Sequence, residues 1–205
     1  MRVELEKFAM NIHQLSINYL QEHDRILVRV NTTDAAQLRL WFTRRLALGF
    51  APLMSRVVTQ HIAAQEATQS KYIFPAVMSD TTAQQMLADF KKQEHLQKSD
   101  FQTPFKNEPS QLRLGGEPLL VTEVNMTPIP SGQMQLVFSE KLADVSRPRS
   151  FTMLLEANLT HGFVHLLDKA IAVSQWRQDI LVELGGDKLP AGETTDTGAK
   201  PKYWN

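Results

Sequence analysis

The sharpest chemical pattern in the chain is His161-x-x-x-His165 with Asp168 three residues further on. On a helix this spacing brings two imidazoles and a carboxylate to one face, a ligand set suited to zinc or a similar ion. The pattern lacks the glutamate of a zinc-protease motif, and it lies opposite the apolar stripe of its own segment. A solvated or interface face is therefore the reading taken, with metal as the weaker alternative. His13, His23, His61 and His95 are scattered without ligand spacing.

A second pattern is basic and aromatic. Residues 22–60 carry six Arg against three acids, Glu22, Asp24 and Asp34. Alternation puts Arg25, Leu27, Arg29, Arg39 and Trp41 on one side of a sheet. Arginines on phosphates with Trp41 stacking a base would make a platform for single-stranded DNA or RNA. The competing expectation is that these side chains pack under a neighbouring segment or a partner. No P-loop, dinucleotide fingerprint or nucleophile elbow occurs, and Gly115-Gly116 and Gly185-Gly186 read as turns. Glu123 and Glu156 point outward on the same half without a pocket signal, so an enzyme ranks third and no cofactor is expected.

The elements that would position these groups follow from periodicity. Leu15, Ile17 and Tyr19 alternate with polar residues, as do Ile26, Val28 and Val30, and then Leu38, Leu40 and Phe42, giving three strands separated by polar turns at 21–24 and 31–34. After Thr43, a natural N-cap, Leu46, Phe50, Leu53, Met54 and Val57 take up helical spacing. Pro52 is expected to kink or split that helix. The order then repeats. Leu120 to Met126 reads as one strand, Pro128 to Gly132 as a turn, Met134 to Phe138 and Phe151 to Leu155 as two more strands, and Leu159 to about Trp176 as a helix.

A shift of 113 positions superimposes Leu46, Gly49, Phe50 and Leu53 on Leu159, Gly162, Phe163 and Leu166, sharing the string L-x-x-G-F-x-x-L. The expectation is an internal duplication. Glycine inside a helix costs roughly 0.5–1 kcal/mol against alanine, so Gly49 and Gly162 suggest close backbone approach where the two helices meet, with Phe50 and Phe163 beside them. Between the halves, Asp80 to Lys98 reads as a helix capped by Asp80, Thr81 or Thr82, with Met86, Leu87 and Phe90 inward and Lys91, Lys92, Glu94 and Lys98 outward.

The expected fold is α+β: two β-β-β-α units forming one pseudo-symmetric domain over residues 10–183. Copy one spans about 13–60, a helical insertion about 61–112, and copy two about 117–177, with a flexible tail at 184–205. The chain has 205 residues, 42% of them hydrophobic, which suffices for a real core. It has no cysteine, so disulfide frameworks and thiolate chemistry are excluded. Equal counts of acidic and basic residues, 22 each, argue against a protein coated in nucleic acid. The N-terminus lacks an apolar signal region, and the most apolar stretch, Leu46 to Val58, is broken by Pro52, Ser55 and Arg56, so a cytoplasmic protein without a membrane span is expected.

The functional expectation is a non-catalytic binding or protein-interaction protein. It is expected to form a homodimer, partly through the first-copy helix, which is apolar or small on nearly every side and needs a cover, or through the outer sheet faces, one basic and the other acidic. A single-strand nucleic-acid binder using Arg25, Arg29, Arg39 and Trp41 is the alternative.

Overall fold

A computed structural model describes residues 12–69, 80–100, 102–106, 111–143 and 148–177. The expected tail at 184–205 and Gly185-Gly186 lie outside them.

The first three strands form an antiparallel meander: β1 (Ile12–Leu20), β2 (Arg25–Thr32) and β3 (Ala36–Thr43). Its cross-strand rows are the apolar positions of the alternation, with Leu15 opposite Val30 and Val30 opposite Leu38, and with Ile17, Val28 and Leu40 in the next row. Because side chains alternate faces, this register commits Val28, Val30, Leu38, Leu40 and Phe42 to the core together, and all are fully buried. The turns exploit two left-handed residues, Asp24 (φ 46°) and Ala35 (φ 59°).

Helix α1 (Arg44–Gln69) begins where expected, the Thr43 hydroxyl accepting from the Leu46 amide at 3.3 Å. It is not split at Pro52 but runs on through it and beyond residue 60. Helix α2 (Thr81–Lys98) is capped by Asp80, whose carboxylate accepts from the Thr82 and Ala83 amides at 2.8 and 3.4 Å. Its expected inward face is corrected. Met86 and Phe90 stand 69% and 64% exposed, and Ala88 is the residue buried between α2 and its neighbours. A small side chain lets a weakly amphipathic helix sit close, and that contact sets the rotation.

The stretch expected as one strand from Leu120 to Met126 is two. Next to β4 (Gln111–Leu112), β5 (Leu119–Leu120) pairs parallel with the outer edge of β3, whereas β6 (Glu123–Pro128) pairs antiparallel in a second sheet with β7 (Met134–Glu140) and β8 (Arg149–Leu155). Two backbone bonds mark the crossing: the Val121 amide donates to the Trp41 carbonyl at 3.0 Å and the Thr122 amide to the Ser139 carbonyl at 2.9 Å. The crossing is also pinned by a bidentate pair. Arg149 Nε and Nη2 reach the Glu140 carboxylate at 2.5 and 2.9 Å, and Glu140 accepts the Leu120 amide at 2.9 Å.

Helix α3 (Ala157–Ser174) follows β8, and the helices cross between sheets. α3 packs chiefly on β1 of the first sheet, and α1 lies along β6 of the second. The end of α3 is tied to the first hairpin, because Trp176 Nε1 donates to Asp24 at 2.7 Å and Arg44 donates to the Trp176 carbonyl at 2.9 Å. At the centre, Phe42 of β3, Phe50 of α1, Phe138 of β7 and Phe163 of α3 meet with ring centroids 5.8–6.5 Å apart. Among the described residues, no helix is long and apolar enough to cross a membrane.

The expected reason for the helix glycines is overturned. A Cβ added at Gly49 or Gly162 would meet nothing within 4 Å, so neither marks a close backbone approach; the helix contact is made by Phe50 and Phe163. With space available and the helix-propensity penalty removed, Gly49→Ala is expected to stabilise the fold by about 0.5–1 kcal/mol. Urea denaturation of the two proteins measures this directly, and a destabilised variant would restore the close-approach reading.

Candidate functional site

The basic face is where alternation puts it, on the first sheet opposite the core. Arg29 stands directly across from Arg39 in the register, and Leu27 across from Trp41. The face is not open, however. The Phe105 ring lies 4.8 Å from the Arg29 guanidinium carbon, and Arg29 Nη2 donates to Ser16 Oγ at 3.1 Å. Burial, and then the neighbouring Arg39 charge, lower the Arg29 pKa. Arg39 donates to the Gly116 carbonyl at 2.8 Å, and the Trp41 ring lies 5.1 Å from that of His23. Arg25, Arg29, Arg39 and Trp41 share a face but are all half-buried. Residues 102–106 reach across part of it.

On α3 the three candidate ligands go separate ways. His161, expected on an outward face, is 4% exposed and stacks on His95 of α2, with ring centroids 4.8 Å apart. Asp168 pairs with Arg177 at 3.2 Å, and His165 is half-buried one turn beyond His161. Among the described residues, no group of three or more His, Asp or Glu is disposed to hold a metal ion. The correction has a geometric cause. Helical spacing shows that His161, His165 and Asp168 share a side, but burial differs along it: His161 is buried against His95 of α2, while His165 and Asp168 are half-buried.

Where the three helices meet, His61, His95 and His161 border one small cavity of about 80 Å³ with Lys91 and Gln65. His95 Nδ1 lies 2.5 Å from Asn158 Oδ1, and burial lowers the His61 pKa. Burial first, and then the charges of His95 and Lys92, push His161 down to about 4. Asp89 and Lys92 border the adjoining cavity.

Two larger grooves lie between each helix and the first strand of the other sheet. One, of about 490 Å³, runs between β1 and α3 and is floored by Leu15, Leu159, Gly162 and Leu166. The other, of about 600 Å³, runs between β6 and α1 and is floored by Leu46, Gly49, Leu53, Val124 and Met126. They differ in cover. In the first, Gln14 donates its amide to the Pro104 carbonyl at 3.2 Å and accepts the Lys106 amide at 3.1 Å, while Asn31 donates to the Lys106 carbonyl at 2.8 Å. Ser99, Asp100, Thr103, Phe105 and Lys106 thus wall it. In the second, Leu53 is 50% exposed, and no described strand pairs with the outer edge of β6. Sequence reasoning missed this groove because Leu46, Leu53, Val124 and Met126 carry the same apolar signal as core residues.

No family model, curated protein or solved structure matches the chain.

The three-helix junction has a measurable consequence. A free histidine titrates near 6.5, and His161 is held near 4 in the fold. As pH falls the unfolded chain takes up this proton first, so the stability from neutral His161 is complete above about pH 6.5 and is lost between there and pH 4. Between pH 7 and pH 5 the loss from this group amounts to about 2 kcal/mol. Urea melts of wild type and His161→Phe at the two pH values are expected to show a shallower decline in the variant. Equal declines would mean that His161 protonates as easily in the fold as in the unfolded chain.

Proposed function

We propose that this chain is a non-catalytic protein-interaction protein that associates with itself as a homodimer, built from a duplicated strand–strand–strand–helix unit. The observation that carries the reading is the difference between the two grooves. One is walled by the chain's own Ser99, Asp100, Thr103, Phe105 and Lys106, whereas its counterpart beside β6 has no such segment along it among the described residues and leaves Leu53 half exposed. Apolar surface of this kind, next to an unpaired strand edge, is stabilised by covering it with polypeptide.

The cross-strand rows support duplication. Leu15–Val30–Leu38 is matched by Val124–Phe138–Phe151, and Ile17–Val28–Leu40 by Met126–Leu136–Met153. The row ending in Phe42 is matched by one ending in Leu155, and Gly49-Phe50 and Gly162-Phe163 follow at the same distance along their helices. The two grooves then become counterparts, Leu46 with Leu159 and Leu53 with Leu166.

A second reading, single-stranded DNA or RNA binding, is supported by Arg25, Arg29, Arg39 and Trp41 sharing a face with Arg29 opposite Arg39. It ranks lower because Phe105 and the Gly116 carbonyl already occupy Arg29 and Arg39.

Light scattering after gel filtration at micromolar concentration tests the first reading: a mass twice 23.3 kDa is expected, and a monomer mass overturns it. For the second, binding of a labelled oligonucleotide at low and high salt decides. Phosphate-driven binding must weaken steeply with salt, and Trp41→Ala must cost about 1–3 kcal/mol in affinity. No binding at low salt removes it.

A further inference from the structure

We infer that the second copy docks along the outer edge of β6, strand against strand, with the apolar strip of α1 closing over the seam. The inference rests on the self-association reading and names its surface.

The direction of the edge groups follows from the hairpin. The Ile129 amide donates to the Gln133 carbonyl at 2.8 Å, in register with Thr127 opposite Gln135 and Asn125 opposite Val137. In an antiparallel ladder, alternate residues point their amide and carbonyl to the same neighbour. Odd-numbered residues of β6 therefore bond to β7, and the amides and carbonyls of Val124 and Met126 face away from it. Pro128 agrees with this assignment, since its missing N–H falls on the outer side, where strand prolines are tolerated. It also limits added pairing to the centre of the strand.

That edge is self-complementary. A two-fold axis perpendicular to the sheet keeps core-facing residues on the core side, so only registers that oppose residues of equal parity are allowed. With the axis at Asn125, Val124 meets the partner's Met126 through paired backbone bonds, and Met126 meets the partner's Val124. Glu123 then faces the partner's Thr127, so no carboxylate opposes another. On the core side, Leu46, Gly49 and Leu53 of α1 line the same groove as Val124 and Met126, which places this apolar strip beside the inferred seam.

Charge favours a second copy over other occupants. The groove carries one cation, Arg45, and one anion, Glu123, and the latter is already paired with Lys141. This nearly neutral surface sets no excess of like charge against its own copy, and it offers nothing to a polyanion or a strongly acidic peptide. The internal precedent is the first groove, where the side-chain amides of Gln14 and Asn31 hold the backbone of Pro104 and Lys106 beside β1.

The chain has no cysteine, so single thiols report geometry cleanly. Asn125 is exposed and bonds only to Glu123 among the described residues, and in the inferred register it faces its own copy as a closely spaced pair without backbone bonds. Mild oxidation of full-length Asn125→Cys is expected to give a disulfide-linked dimer, whereas Gln93→Cys, exposed on α2, stays unlinked. Val124→Pro deletes an outward amide twice per dimer and is expected to weaken association about tenfold or more. Circular dichroism of that variant should match wild type, because the ladder to β7 is untouched. If light scattering gives a dimer but Asn125→Cys does not cross-link and Val124→Pro leaves the dimer unchanged, the surface is wrong while self-association stands. A monomer overturns both.

Discussion

Everything in the molecule is arranged around one constraint: four phenylalanines from four different elements must share a single space. Phe42 and Phe138 project from separate sheets, and Phe50 and Phe163 come from the helices that follow β3 and β8. No pair of neighbouring elements could bury these rings alone. Aromatic rings carry a large buried surface and prefer tilted or edge-on contacts, and most of the six contacts here are of those kinds. The cluster brings α3 away from its own hairpin onto β1 and holds α1 between its own sheet and β6. The grooves are what remains beside β1 and β6 once both helices are in place.

The ion pair between Glu140 and Arg149 plays a different part. Glu140 is held below the usual carboxylate range, principally by the Arg149 side chain, while its own burial opposes the shift. Its acceptors satisfy both the guanidinium and the Leu120 amide, so one carboxylate joins the end of the second sheet to the strand that pairs with the first. This is a specificity device more than a source of stability, since a pair taken partly out of water gives back much of what its attraction contributes. It fixes where the chain leaves one sheet and enters the other.

Much of this was legible in the residues. Period-two alternation located the six principal strands, and the inward positions Val28, Leu38, Phe42, Leu136 and Leu155 are the ones that pack. Thr43 and Asp80 marked helix starts through side-chain oxygens that do cap amides. Other features were hidden for physical reasons. Leu119 to Met126 is extended throughout, and alternation cannot report that the strand changes partner at Val121 and Thr122. The orientation of α2 depends on Ala88 fitting against α1 and α3, which a stronger apolar pair, Met86 and Phe90, concealed. His161 looked solvated because a helical wheel contains no information about a third helix. The open groove had no separate signature, because a leucine beneath a neighbour and a leucine awaiting one are the same residue.

The packing of α3 on the first sheet also determines how the chain must be made. The core face of the first sheet is completed only when α3 arrives, more than a hundred residues after β3 has been synthesised. At roughly 5–20 residues per second on the ribosome, the first hairpins wait on the order of ten seconds before α3 arrives to pack on β1. Contacts this distant in sequence also slow the search in free solution. A nascent chain of this design is therefore most vulnerable to unwanted association before α3 emerges, while the first sheet is still a partly covered apolar meander.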